Sequence, residues 1–172
     1  MKSIHLLGIK DIAFIVGCGH TGTTLLATML ASHPDLYVPL RETGLFRMKW
    51  WPRSRALRQL RREALDAGRR YIVEKTPRHI NVLRRIRRVI RSPRFIVMVR
   101  DGRDVTASIA HRNGGDFAVA LERWETETAI SLDQRGRPYA YLLRYEDLIA
   151  APERCLREVC AFLGIAYTDR LL

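Results

Sequence analysis

A chain of 172 residues with 47% apolar content can enclose one ordinary core, and no break in composition marks a second domain. No apolar run approaches the roughly 18 residues that span a bilayer, and the N-terminus lacks the pattern of a secretory leader, so a soluble, cytoplasmic domain with no membrane association is expected. The net charge of +12 is confined to one stretch: residues 53–103 hold 17 Lys and Arg against 4 acids, and the remainder holds 13 against 14.

The first element, Ile12 to Val16, is apolar throughout. It breaks at Gly17-Cys18-Gly19-His20-Thr21-Gly22-Thr23-Thr24 into a turn that opens an amphipathic helix striped by Leu25, Leu26, Met29 and Leu30. That helix ends near Ser32, and His33-Pro34-Asp35 turns the chain. Residues 33–52 read as irregular, with a short helix around Gly44 to Trp50. A basic helix follows from about Ser54 to Ala67, closed by Gly68. Tyr71 to Val73 is a short strand, and Thr76-Pro77 caps a helix running to about Arg91. Phe95 to Val99 is uniformly apolar, as a central parallel strand covered on both faces requires. Asp101 caps a helix from about Gly102 to His111, Gly114-Gly115 separates it from a helix over Phe117 to Leu132, and Tyr139 to Leu143 is a further strand. Pro152 in a first turn, Leu156, Val159, Cys160 and Leu163 on one face, and Gly164 beyond describe a terminal helix. Strands alternating with helices predict an α/β fold, a three-layer sandwich around a mostly parallel sheet of the P-loop nucleotide-binding type.

Ile80, Leu83, Ile86 and Ile90 lie at helical spacing, which turns Arg84, Arg85, Arg87, Arg88 and Arg91 outward as a solvated face. The same holds for most of Arg53, Arg55, Arg58, Arg61 and Arg62. Cys18, Cys155 and Cys160 are too few and too irregularly spaced for a disulfide framework or a zinc site, so reduced thiols are expected, with Cys18 a small filler in the loop.

The loop carries the first chemical signal. Backbone N–H groups in such a turn, added to the positive end of the helix dipole, make an anion site. Gly17, Gly22 and Thr24 fit the pattern G-x-x-x-x-G-K-[ST], but Thr23 stands where the lysine belongs. Without it the β- and γ-phosphates of ATP are poorly supplied with charge, whereas a single 5′-phosphate still fits the cradle.

Three further blocks accompany the loop: Glu74-Lys75-Thr76-Pro77, then Arg100-Asp101-Gly102-Arg103-Asp104-Val105-Thr106-Ala107-Ser108 after the central strand, then Arg144-Tyr145-Glu146-Asp147-Leu148 through Phe162-Leu163-Gly164. In order and spacing along nearly the whole chain, this series resembles the sulfotransferases that use 3′-phosphoadenosine 5′-phosphosulfate, nearest to the tyrosylprotein and bacterial types. The resemblance implies that phosphosulfate as co-substrate, no metal, an acceptor with a hydroxyl group on a small molecule, carbohydrate or peptide, and no nucleic acid. Chains of the family usually continue well beyond Phe-Leu-Gly, so a single domain over residues 1–172 that lacks the usual C-terminal segment is expected.

By the same resemblance Gly19, His20, Thr21, Gly22, Thr23 and Thr24 hold the 5′-phosphosulfate end of the donor, while Arg100 and Ser108 hold its 3′-phosphate. Arg100 at a strand's carboxyl end is placed where open α/β sheets bind ligands, and a salt bridge to Asp101 or Asp104 is its structural alternative. His20 replaces the arginine or lysine that the family commonly uses to neutralise the bridging oxygen, which a histidine does when protonated or as a neutral N–H donor. Glu42 matches the glutamate that takes the acceptor proton, in a segment one residue longer here; a surface carboxylate paired with Arg41 is the alternative. Lys75 matches a lysine that stabilises the transferring group. Tyr145, Glu146 and Asp147 read as mainly structural, Arg103 as structure or ligand contact, and Trp50 and Trp51 as packing or stacking residues; His79 and His111 have no assignment. A P-loop nucleoside or small-molecule kinase is disfavoured by Thr23 and by Arg100 standing where an acid would hold magnesium. A nucleic-acid-binding module lacks an aromatic platform within the basic stretch.

Overall fold

A sheet of five parallel strands, ordered β2-β3-β1-β4-β5, organises the chain. The structure is a computed structural model that describes residues 11–39 and 41–172. Strand β1 (Asp11–Gly17) runs into helix α1 (Thr23–Ala31), and β2 (Leu36–Tyr37) is followed by a 3-10 turn at Leu45–Arg47. Helix α2 (Trp50–Asp66), β3 (Tyr71–Lys75), a second 3-10 segment (Pro77–Val82), α3 (Leu83–Val89) and β4 (Arg94–Val99) come next. The chain continues through α4 (Gly102–Arg112), α5 (Phe117–Leu132), β5 (Ala140–Arg144), α6 (Tyr145–Ala150) and α7 (Pro152–Leu163).

Alternation along the strands separates the two cores. Ala13, Ile15, Ile96 and Met98 face α1 and α7, packing on Leu26, Leu30, Leu156 and Val159. Ile12, Phe14, Phe95 and Val97 face the other side, where Leu45, Phe46, Leu60, Ile80 and Ile86 cover them. Both faces being covered is what the unbroken apolar runs of β1 and β4 demand. The middle strand is β1, with β4 beside it, so the strand expected at the centre lies next to it.

Several expectations hold closely: Phe117–Leu132 is one helix, Asp101 accepts the Arg103 amide as an N-cap, and Gly164 closes α7 with φ of 68°. The helix expected from Thr76 to Arg91 is divided, because the tight 3-10 turn brings the fully buried His79 onto Glu74 and the Phe46 amide. Tertiary hydrogen bonds there override helical periodicity. Arg84, Arg85, Arg87, Arg88 and Arg91 are exposed as anticipated. Arg53 is buried instead, its guanidinium 5.7 Å from the Phe46 ring centre. The side chains of Trp50 and Trp51 lie outside the described residues. Among the described residues no helix is long and apolar enough to cross a membrane.

Candidate active site

The loop between β1 and α1 emerges at the carboxyl edge of the sheet, where the chain leaves β1 for β2 and β3 on one side and then crosses from β3 to β4 on the other. Such a switch point opens a crevice between the flanking loops. Three backbone features shape the cradle. Gly17 has φ of 148° and Gly22 of 84°, and a Cβ would come within 2.3 Å of the Met98 carbonyl oxygen at the first and of the Tyr145 ring at the second. His20 is also left-handed, with φ of 72°, a conformation that costs a non-glycine residue about 1–2 kcal/mol. Gly22 caps α1 without any side-chain hydrogen bond, so the first-turn amides and the helix dipole are presented to the cleft.

The cleft has a volume of about 390 Å³, in the range of small-molecule sites. Gly19, His20, Gly22, Thr23, Thr24, Glu42, Arg100 and Ser108, eight of the residues singled out from the sequence, line it together. Thr21 is buried with its hydroxyl donating to the Cys18 carbonyl at 2.7 Å, so its side chain braces the loop from within. Lys75 is buried at the end of β3, and its Nζ lies 3.2 Å from Glu42 Oε1, bringing the proposed base and the proposed cation together. Glu42 itself is exposed and pairs with Lys75, while Arg41 pairs with Glu63.

Arg100 reaches three partners: Asp104 at 2.9 Å, the His20 carbonyl at 3.4 Å, and the Tyr145 ring, whose centre is 4.3 Å from the guanidinium carbon. Its Nε is buried with no hydrogen-bond partner. A buried donor left unpaired in this way costs on the order of 1–3 kcal/mol and is satisfied by an arriving acceptor oxygen. Both readings of Arg100 are thus present in the geometry, the Asp104 salt bridge and an open donor. Arg103 is 91% exposed and forks onto Asp101, whose carboxyl it holds down to about 2, so Arg103 is a structural partner. His20 Nδ1 lies 2.8 Å from Ser108 Oγ. Burial, then the nearby Arg112, Arg123 and Arg100, hold the His20 pKa below its ordinary value. Burial and the Glu127 carboxylate push the Cys18 thiol up to about 12, which leaves it inert as a nucleophile.

Behind Glu42 and Lys75 sits a polar network. Glu74 is fully buried and accepts from Thr43 Oγ1 at 2.7 Å, Thr76 Oγ1 at 2.6 Å and His79 Nδ1 at 3.0 Å. Burial alone would raise its pKa, but these donors more than offset that and hold the carboxyl below the usual range. The Phe46 amide donates to His79 Nε2 at 3.2 Å, which places the imidazole proton on Nδ1, toward Glu74. Thr43 follows Glu42 and Thr76 follows Lys75, so one carboxylate ties the two functional segments to each other.

Arg78, Arg112 and Arg123, none of them singled out in the sequence, also line the cleft wall, together with Tyr145. Arg112 is four residues after Ser108 on α4, a spacing that places both on one helix face and could have drawn attention to it. Tyr145 keeps its structural reading, its ring packing on Gly22 and under Arg100. Glu146 keeps the structural reading, accepting the Asp101 amide at 2.8 Å. Four arginines line the cleft wall, and although Asp104 pairs with Arg100 and Glu127 with both Arg78 and Arg123, the wall keeps a net positive charge suited to an anionic ligand. Among the described residues no group of three or more His, Cys, Asp or Glu could hold a metal ion.

The sequence profile of the Sulfotransferase family matches residues 13–67 and 41–169. Protein-tyrosine sulfotransferase 2 of Gallus gallus is 26% identical over 197 residues, covering 94% of this chain and 53% of its own. The chain therefore spans about half the length of that relative. Among solved structures, the sulfotransferase domain of the Synechococcus PCC 7002 olefin synthase superimposes with a TM-score of 0.78 at 23% identity, covering 96% of this chain and 77% of its own. Mouse sulfotransferase SULT7A1, solved in complex with PAP, gives 0.63 at 18% identity over 92% and 61%.

Proposed function

Because the chain belongs to the Sulfotransferase family, we propose that its cleft transfers a sulfuryl group from 3′-phosphoadenosine 5′-phosphosulfate to an acceptor hydroxyl. The observation that carries this reading is the joint lining of one cleft by the lysine-free loop, Glu42 and the Arg100–Ser108 pair. The nucleotide, when bound, supplies the activated sulfuryl group. The chain's own residues supply position and charge. The Gly22, Thr23 and Thr24 amides hold the 5′ end at the start of α1, as helix N-termini hold phosphates. Arg100, with its open Nε, and Ser108 hold the 3′-phosphate. Glu42 takes the acceptor proton, Lys75 beside it balances charge on the transferring group, and His20 contributes an N–H at the donor end. Positioning plus electrostatics then supply most of the catalysis, as in phosphoryl transfer.

The acceptor class is part of the proposal: a hydroxyl on a small molecule, carbohydrate or peptide, admitted past the segment that bears Glu42. So are a single catalytic domain over residues 1–172 and a cytoplasmic setting, with which the three buried unpaired cysteines agree. Thermal melting tests the reading. The desulfated product, 3′-phosphoadenosine 5′-phosphate, raises the melting temperature by binding only the folded state, and ATP with magnesium raises it much less. Equal shifts from both nucleotides overturn the assignment.

A further inference from the structure

We propose that Arg123, carried on α5, is a catalytic residue: it supplies at the phosphosulfate end of the cleft the fixed positive charge that neither Thr23 nor His20 gives to the loop. This inference rests on the reading of the cleft as a donor site.

Two positions of the loop are short of charge, threonine in place of lysine at 23 and histidine in place of a permanent cation at 20. His20 does not make good the deficit at neutral pH. Its ring is hydrogen-bonded to Ser108, and burial and three arginines disfavour its protonated form. The cation comes instead from a helix remote in sequence. Arg123 lines the cleft and lies so close to the loop that a Cβ on Gly19 would stand 2.6 Å from its Nη2. Gly19 is therefore the residue that lets this guanidinium approach the loop backbone.

The arginine is aimed from behind. Its Nε donates to Glu127 Oε2 at 3.3 Å, and Glu127 is itself buried and accepts from Asn81 at 3.1 Å. Arg78 stands 3.7 Å from the other Glu127 oxygen. One carboxylate thus anchors two guanidiniums, leaving a net positive charge at the loop. Arg100 is engaged elsewhere, with Asp104, Tyr145 and the His20 carbonyl.

The chemistry needs charge there. As the bond from sulfur to the bridging phosphate oxygen breaks, its electron pair stays on that oxygen; sulfur bonds to the acceptor oxygen, whose proton goes to Glu42. The terminal phosphate gains a negative charge, and a pre-positioned guanidinium stabilises it without depending on pH.

The test separates the two ends of the nucleotide by titration calorimetry with adenosine 3′,5′-bisphosphate and adenosine 3′-monophosphate. In Arg123→Gln, whose amide still reaches toward Glu127, affinity for the bisphosphate falls about ten- to a hundredfold and affinity for the 3′-monophosphate changes less than about twofold. Adding His20→Arg to that variant restores most of the loss, because the loop then carries its own cation. Loss of both ligands alike, or of neither, overturns the proposal. His20→Arg in the otherwise native chain leaves the Glu127 anchor intact and is read even if Arg123→Gln fails to fold. It gains less than about threefold in bisphosphate affinity where Arg123 already supplies the charge, and a gain of about tenfold or more overturns the proposal. A native chain that binds neither adenosine phosphate overturns the donor reading itself, before Arg123 is at issue.

Discussion

Replacing Glu74 with glutamine substitutes one amide nitrogen for an oxygen inside a fully buried network. Oε1 of the glutamine can still accept from Thr43 and Thr76, which now reach Glu74 Oε1 at 2.7 and 2.6 Å. The new NH₂ group, however, faces His79 Nδ1, which now lies 3.0 Å from Oε2 and carries the ring proton. If the imidazole moves its proton to Nε2 to accept from the amide, that N–H opposes the Phe46 amide, now a donor to Nε2 at 3.2 Å. Either tautomer sets two buried donors against each other, and leaving even one of them unpaired costs about 1–3 kcal/mol. For a chain of this size each kcal/mol lowers Tm by about 2–4 °C, so Glu74→Gln melts roughly 2–12 °C below the parent. Melting followed by circular dichroism at neutral pH reads the shift. Because the threonine contacts survive, nucleotide affinity stays near that of the parent. A Tm indistinguishable from the parent refutes the donor-only network and with it the tautomer assigned to His79.

Three other outcomes follow from the same geometry. Gly22→Ala forces a Cβ at φ of 84° to within 2.3 Å of the Tyr145 ring, whereas Gly68→Ala, at φ of 67°, meets nothing within 4 Å. Each bears the left-handed cost of about 1–2 kcal/mol, but only Gly22→Ala loses further stability and nucleotide binding; equal Tm values for the two argue against the ring contact. Asp101→Ala removes the cap of α4, and since Arg103 holds the folded-state carboxyl near 2 against an ordinary 3.8, the parent's advantage is full above 3.8 and fades as pH falls through about 2. A gap between parent and variant melting curves that persists unchanged to the lowest pH contradicts this sign. Glu42→Gln lowers the transfer rate by about 10²- to 10⁴-fold while calorimetry shows unchanged binding of 3′-phosphoadenosine 5′-phosphate; a rate equal to the parent's removes Glu42 as the base.

How much was legible depended on the kind of interaction. Strands, the loop and most helices were readable because apolar periodicity and glycine placement are local; Asp101 and Gly164 marked their helix ends as capping chemistry dictates. Most of the residues that line the cleft were readable because they cluster in short blocks at strand ends. The Pro77–Val82 turn was not, since its conformation is set by His79 reaching Glu74 and Phe46 across the fold. Arg123 and Glu127 were invisible for the same reason: an exposed-looking arginine on a long helix has no local pattern to distinguish it, and only the packing of α5 against the loop brings it to Gly19. Tyr145 was read as structural, and its ring does pack on Gly22 and under Arg100, but a motif that starts a helix gives no sign of which residues the ring touches.

A cleft that holds a 3′-phosphate through Arg100 and Ser108 distinguishes a 3′-phosphorylated nucleotide from an ordinary one. Titration of the parent and of Arg100→Ala with adenosine 3′,5′-bisphosphate and with adenosine 5′-monophosphate measures that discrimination. A charge-assisted contact of about 1.5–3 kcal/mol predicts that the parent prefers the bisphosphate by roughly ten- to a hundredfold and that Arg100→Ala loses most of this preference while keeping its affinity for the 5′-monophosphate. Equal affinity of the parent for the two nucleotides, or a preference that survives in Arg100→Ala, would contradict it.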